Sequence, residues 1–163
     1  MGDHTESLQI DFDPAQLSLA KIMELYFANR SSCRAAYSRQ YMSAIFVHDD
    51  AQKNAALDAK KVIESRGTKV HASILPAAQF YLAEDYHQKY MLRNDAPLMR
   101  DFKAMYPNDS DFVNSTAAAR VNGLLGAGRR ASSDVELKSF NLSAETHAYL
   151  RTRVKISEST SNP

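Results

Sequence analysis

Apolar and polar positions change rhythm several times along the chain, and each rhythm predicts an element. Glu6, Leu8, Ile10 and Phe12 share one parity, while Ser7, Gln9 and Asp11 take the other, which is the two-residue period of a half-buried strand. Asp13-Pro14 ends it, because proline brings no N–H to a ladder, and Ser18 is placed to cap the helix that follows. Leu19, Ile22, Met23, Tyr26 and Phe27 then recur at three- and four-residue intervals, giving that helix one apolar stripe to cover a sheet. Residues 29–40 keep no period and read as a loop. Residues 41–47 are short, apolar and strand-like, and Asp49 with Gln52 opens the next helix in the manner of a capping box. Gly67 ends that helix as a left-handed cap. Residues 69–75 supply another strand before Pro76 stops it. Residues 84–93 read as a helix with Tyr86 and Tyr90 one turn apart on the same face.

After Pro97 the pattern becomes helical over residues 98–106, 109–125 and 143–155, interrupted by Pro107-Asn108 and Gly126-Ala127-Gly128. Phe112, Ala119, Leu124 and Leu125 offer this part too little apolar surface for a core of its own, so it is expected to pack on the first part. The organisation expected is an α+β domain over residues 1–96 with about three strands, a helical extension over 97–155, and a Ser/Thr-rich disordered tail over 156–163.

Composition narrows the function classes. The 163 residues hold 20 Lys+Arg against 19 Asp+Glu, a net charge of +1, with one cysteine and no tryptophan. A balanced charge without a strongly basic segment argues against nucleic-acid binding. One cysteine excludes an internal disulfide framework, and no apolar run is long enough to span a membrane. Residues 1–6 show no basic flank or apolar core of a leader peptide, so a soluble, cytoplasmic protein is expected.

Few side chains suggest chemistry by themselves. Extrapolating the alternation aims the Glu6 carboxyl toward the core or a cleft mouth, where desolvation would make it a proton donor; a glutamate at a strand's first position can equally bend out to solvent. Tyr41 opens the second strand beside Arg39 and Gln40, where its phenol can donate to an oxygen or its ring can pack on the sheet. Cys33 is the one available thiol, set among Arg30, Arg34 and Arg39. Those charges would lower its pKa if close, but neither a histidine in local register nor a resolving cysteine accompanies it. His4, His48, His71, His87 and His147 show no three- or four-residue pairing and make no metal motif. Residues 123–128 hold three glycines but follow a helix rather than a strand, which excludes a dinucleotide fingerprint.

Three blocks in order carry a family resemblance. Ile74-Leu75-Pro76-Ala77, Phe80-Tyr81 and the run from Ala83 to Tyr90 closely resemble the C-terminal signature of the peptide-methionine (S)-S-oxide reductases, the A-type methionine sulfoxide reductases. His4-Thr5-Glu6-Ser7-Leu8 through Phe12-Asp13-Pro14 resembles that family's strand and aromatic-Asp-Pro turn, and Gln40 to Phe46 resembles its Gln-Tyr-Arg-Ser block. The resemblance covers residues 2 to about 93, and the helical part after Pro97 is similar to one found in an animal branch. It implies a reduced ferredoxin-like two-layer sandwich with that helical extension. It also implies a reaction: a cysteine thiolate attacks the sulfoxide sulfur of free or peptide-bound methionine-S-sulfoxide, a glutamic acid protonates the leaving oxygen, and tyrosine hydroxyls hold it. The sulfenic acid returns to thiol through a disulfide and thioredoxin or another thiol reductant, with no bound cofactor. On this resemblance Glu6 takes the place of the acid and Tyr41 that of an oxygen-binding tyrosine, with His87 and Tyr90 beside the substrate.

The departures matter as much. The family's nucleophile lies in a Gly-Cys-Phe-Trp-Gly segment that is not among these residues, and Ala35-Ala36 stand where Asn-Asp is common. Cys33 falls in that loop and does not correspond to the nucleophile. An acid without an attacking thiolate delivers no electron pair to sulfur. The expectation is therefore a family member that is inactive as these 163 residues stand, with an exposed sheet edge that favours self-association. A noncatalytic module binding methionine-sulfoxide peptides is the alternative, and a reductase using Cys33 with an external thiol is a weaker third.

Overall fold

The computed structural model describes residues 4–28, 32, 34–35, 37–126 and 130–156. Cys33, Arg30, Ala36 and the tail from residue 157 onward lie outside the described residues. The chain is α+β and divides into two compact units, Met1–Phe80 and Tyr81–Pro163.

In the first unit α1 (Leu19–Ala28) precedes a β–α–β crossover of β1 (Ala44–Val47), α2 (Asp50–Glu64) and β2 (Ser73–Pro76). The strands pair in parallel, with Ile45 opposite Ile74 and Phe46 opposite Leu75. A parallel pair needs a long connection, and α2 supplies it. Ser18 Oγ accepts the Lys21 N–H at 3.2 Å at the start of α1. Asp49 accepts Gln52 N–H at 2.7 Å, while the Gln52 side chain reaches back to the His48 N–H at 3.0 Å. The expected capping box thus forms, with its return bond one residue upstream. Beyond the last turn of α2, Gly67 adopts φ +80°, a backbone region in which a side chain is strained. Met23 and Phe27 of α1, Ala56 of α2, Ile45 and Val47 of β1, and Val70 and Ala72 before β2 make the core. Phe46 and Leu75, on the opposite face of the strands, remain 37% and 36% exposed.

Several expectations need correction here. Residues 6–12 do not form a strand: Leu8 and Ile10 are 83% and 50% exposed, and alternation without a partner strand cannot satisfy a ladder. The second strand begins at Ala44 rather than Tyr41, because Tyr41 lies in a turn where Met42 N–H reaches the Arg39 carbonyl at 3.4 Å. The third predicted strand starts at Ser73 and ends on Pro76, whose missing donor matters least at a strand's end. Instead of one sheet of about three strands, the described residues form two separate parallel pairs.

The second unit holds α3 (Tyr90–Arg93), α4 (Ala96–Met105), α5 (Asp109–Asn114), α6 (Thr116–Gly126), α7 (Asp134–Lys138) and α8 (Ala144–Arg153), with β3 (Arg130–Ala131) paired in parallel to β4 (Lys155–Ile156). The helix expected over 84–93 shrinks to its last turn. Residues 85–89 are turns, and Lys89 at φ +52° breaks the helical path, so Tyr86 and Tyr90 do not share a helix face. The expected helix over 109–125 is cut at Ser115, which turns extended and caps α6 by accepting the Ala118 N–H at 3.1 Å.

This unit also has its own core, contrary to the apolar shortage read from the sequence. Leu92, Leu98, Phe102, Leu137 and Leu150 are completely buried, and Phe102 meets Phe112 edge to face at 6.1 Å. Asp95, itself buried, caps α4 and accepts the Tyr149 hydroxyl of α8 at 3.2 Å.

Glu136 supplies the electrostatic latch between α6 and α7. Its carboxylate accepts Ser132 Oγ at 2.6 Å and Ser132 N–H at 2.7 Å, and Arg120 donates at 2.9 Å. The Ser132 hydroxyl first, then the Ser132 amide and Arg120, hold its pKa below the ordinary carboxylate value despite partial burial. A depressed folded-state pKa contributes stability above the unfolded pKa and loses it as pH falls through the folded value. Resistance to urea is therefore expected to fall as the pH is lowered below the ordinary carboxylate range, and Glu136→Gln should flatten that part of the pH profile. An unchanged slope in the variant would contradict the latch.

Candidate functional site

The site is built on the connection between α1 and β1. Both ends of that loop are pinned to the backbone leading into β2. The Ser32 carbonyl, on a buried residue, accepts His71 N–H at 3.2 Å and Ala72 N–H at 3.1 Å, and the Ser43 carbonyl accepts Ser73 N–H at 3.0 Å. The Ser43 bond lies at the start of the β1–β2 pairing, and the two bonds to Ser32 hold a residue that belongs to neither strand. The intervening loop carries Tyr37, Arg39, Gln40 and Tyr41 to the surface.

A clasp joins this loop to residues 5–6. Glu6 N–H donates to the Gln40 carbonyl at 2.9 Å, Gln40 Nε2 donates to Glu6 Oε1 at 2.8 Å, and Thr5 Oγ1 donates to the Arg39 carbonyl at 3.1 Å. Upstream of α1, Asp13 stabilises the turn by accepting Ala15 N–H at 2.9 Å and the Gln16 amide at 2.8 Å. The Ala15 bond first, and Gln16 second, hold its carboxyl below the usual range.

Of the predicted residues, Glu6 and Tyr41 are brought into one neighbourhood, since Gln40 grips the first and directly precedes the second. Glu6 is exposed rather than aimed into a core, so of its two readings the solvent-facing one holds. Tyr41 is 49% exposed and pairs with the Tyr37 ring at 5.5 Å, so its ring lies against another surface aromatic rather than on the sheet. His87 and Tyr90 belong to the second unit. The His87 ring lies 4.2 Å from that of Tyr86 in a tilted pair, with Nε2 at 3.9 Å from Glu84, and Tyr90, 56% exposed, opens α3. Among the described residues no three His, Cys, Asp or Glu side chains gather as a metal site. No helix among the described residues is long and apolar enough to cross a membrane.

Sequence reasoning missed Gln40, Thr5 and Tyr37. Gln40 and Glu6 are separated by 34 positions, and no local period reports a contact at that range.

The carboxyl of Glu6 and the phenol of Tyr41 are both accessible on this α+β chain, and comparison with known proteins shows which family the chain belongs to. The family model for peptide methionine sulfoxide reductase matches residues 1–119. A Drosophila melanogaster peptide methionine sulfoxide reductase is 31% identical over 162 residues, covering 97% of this chain and 65% of that protein. A Methanococcoides burtonii peptide methionine sulfoxide reductase MsrA is 37% identical over 95 residues, covering 53% of this chain and 62% of the relative. The chain belongs to the peptide methionine sulfoxide reductase family. It spans less than two thirds of the length of these relatives. The match runs past residue 93, where the sequence blocks end, well into the helical unit.

Exposure of the two loop tyrosines is directly testable. Mild nitration is expected to modify Tyr37 and Tyr41 while sparing Tyr149, whose hydroxyl is engaged by Asp95 and Arg153. Peptide mapping that finds Tyr41 protected would contradict the surface placement.

Proposed function

We propose that this chain engages methionine-S-sulfoxide, free or within oxidised proteins, through Glu6 and Tyr41, and that it contributes the oxygen-handling half of the family reaction. The observation that carries the reading is the clasp that ties Glu6 to Gln40, the residue directly before Tyr41, with Glu6 and Tyr41 both exposed. In the full reaction a thiolate attacks sulfur as the S–O bond breaks. Glu6 gives its proton to the departing oxygen and Tyr41 donates a hydrogen bond to it; the oxygen, now hydroxide or water, then attacks the former thiolate sulfur, the new S–S bond breaks to release the methionine thioether, and the thiol is left as a sulfenic acid. A second thiol then expels water from the sulfenic acid as a disulfide, which thioredoxin or another dithiol reduces. Two electrons thus pass from thiols to sulfur, with no bound cofactor.

What this reading lacks is the electron pair. Residues 1–163 include one cysteine, Cys33, and no tryptophan, so the Gly-Cys-Phe-Trp-Gly segment is not among them. Glu6 and Tyr41 polarise the S–O bond but cannot reduce it, and these residues by themselves are inactive in this reading. Within the family the β1–α2–β2 crossover would belong to a larger ferredoxin-like sheet, and His87 and Tyr90 would support the substrate. The exposed Phe46 and Leu75 face favours self-association, and a cytoplasmic setting suits the thiol chemistry.

The accessible Tyr37–Tyr41 ring pair favours a second reading, a noncatalytic module that binds sulfoxide peptides. One experiment separates the two from a Cys33-dependent enzyme. The 163-residue chain is mixed with a peptide bearing methionine-S-sulfoxide and dithiothreitol. We expect saturable binding, weakened about tenfold by Glu6→Gln or Tyr41→Phe, and no turnover. Repeated turnover abolished by Cys33→Ser would overturn the inactive reading, and absence of binding would overturn both recognition readings.

A further inference from the structure

We propose that Gln40 is a positioning residue that holds the Glu6 carboxyl in place beside Tyr41, an inference that rests on the sulfoxide-binding reading above. A carboxyl on an exposed segment samples several rotamers, whereas proton delivery to one departing oxygen needs a single direction. The clasp restricts it. The Gln40 backbone carbonyl fixes Glu6 N–H at 2.9 Å, so the Gln40 side chain has only to complete a contact already in register, at 2.8 Å to Glu6 Oε1. Thr5 Oγ1 on the Arg39 carbonyl, at 3.1 Å, closes the same two segments from the neighbouring residue pair. A lone hydrogen bond between surface side chains is readily exchanged for water; one that follows two others between the same segments has less ordering entropy to overcome.

A primary amide also suits the task chemically. Its NH2 donates to a carboxylate, and after rotation its oxygen accepts from a carboxylic acid. Gln40 can therefore hold Glu6 before and after the proton leaves. A lysine could serve only the ionised form, and a leucine neither. Gln40, one residue ahead of Tyr41, thereby ties the segment of the acid to the loop that carries the oxygen-holding phenol, a loop bonded through Ser32 and Ser43 to residues 71–73.

The test is a double-mutant cycle on the affinity for a methionine-S-sulfoxide peptide, read together with the side-chain amide spectrum of Gln40. Gln40→Leu is expected to weaken binding about tenfold in the parental chain and less than about twofold in the Glu6→Ala background. Glu6→Ala should move the Gln40 NH2 resonances although 34 positions separate the two. Equal loss in both backgrounds, which a merely structural Gln40 would give, overturns the proposal, as do unmoved Gln40 resonances. A parental chain that binds no sulfoxide peptide defeats the functional reading instead, and the Gln40 resonances then still report whether the clasp exists.

Discussion

The candidate site depends on the parallel pairing of β1 with β2 and, above all, on the main-chain bonds from His71, Ala72 and Ser73 to the loop carbonyls of Ser32 and Ser43. A loop tied at one end would wander; fixed at both, it has little length left to reorganise. The core formed by α1, α2 and the inward faces of the strands holds this frame. Glu6 and Tyr41 need not be buried to be placed, because the frame and the clasp place them. Backbone groups do most of this work.

What could be read from the sequence follows the range of each interaction. The Asp49 and Ser18 caps and the Gly67 turn were legible because a cap is settled within four residues. The alternation at residues 6–12 looked like a strand, but a strand exists only through a partner, and here its Leu8 and Ile10 face solvent. Lys89 carried no signal for a left-handed backbone, so the helix expected to begin at residue 84 begins at Tyr90. The core of the second unit was hidden for a different reason. Its apolar side chains are dispersed over short helices, as with Leu92, Phe102, Leu137 and Leu150, and no one window shows their sum.

The site divides in the same way. Glu6 and Tyr41 were reached through a family resemblance that the comparisons support, since the family model covers residues 1–119. Gln40 stood inside the same block as Tyr41, yet its partner lay 34 positions away and only the folded chain shows it. On the proposed reading, electron supply sets the limit on what Glu6 and Tyr41 could do. Hydrogen-bond donors stabilise a departing oxygen, whereas reduction of sulfur needs a thiolate positioned to attack, and the one cysteine, Cys33, lies outside the described residues.

Amide hydrogen exchange at Glu6 tests most directly whether hydrogen bonding rather than burial assembles the site. Glu6 is exposed and its N–H reaches the Gln40 carbonyl at 2.9 Å, so its amide should exchange measurably more slowly than those of Leu8 and Gln9, alongside slow exchange at His71, Ala72 and Ser73. Exchange at Glu6 as rapid as at Leu8 and Gln9 would contradict the account.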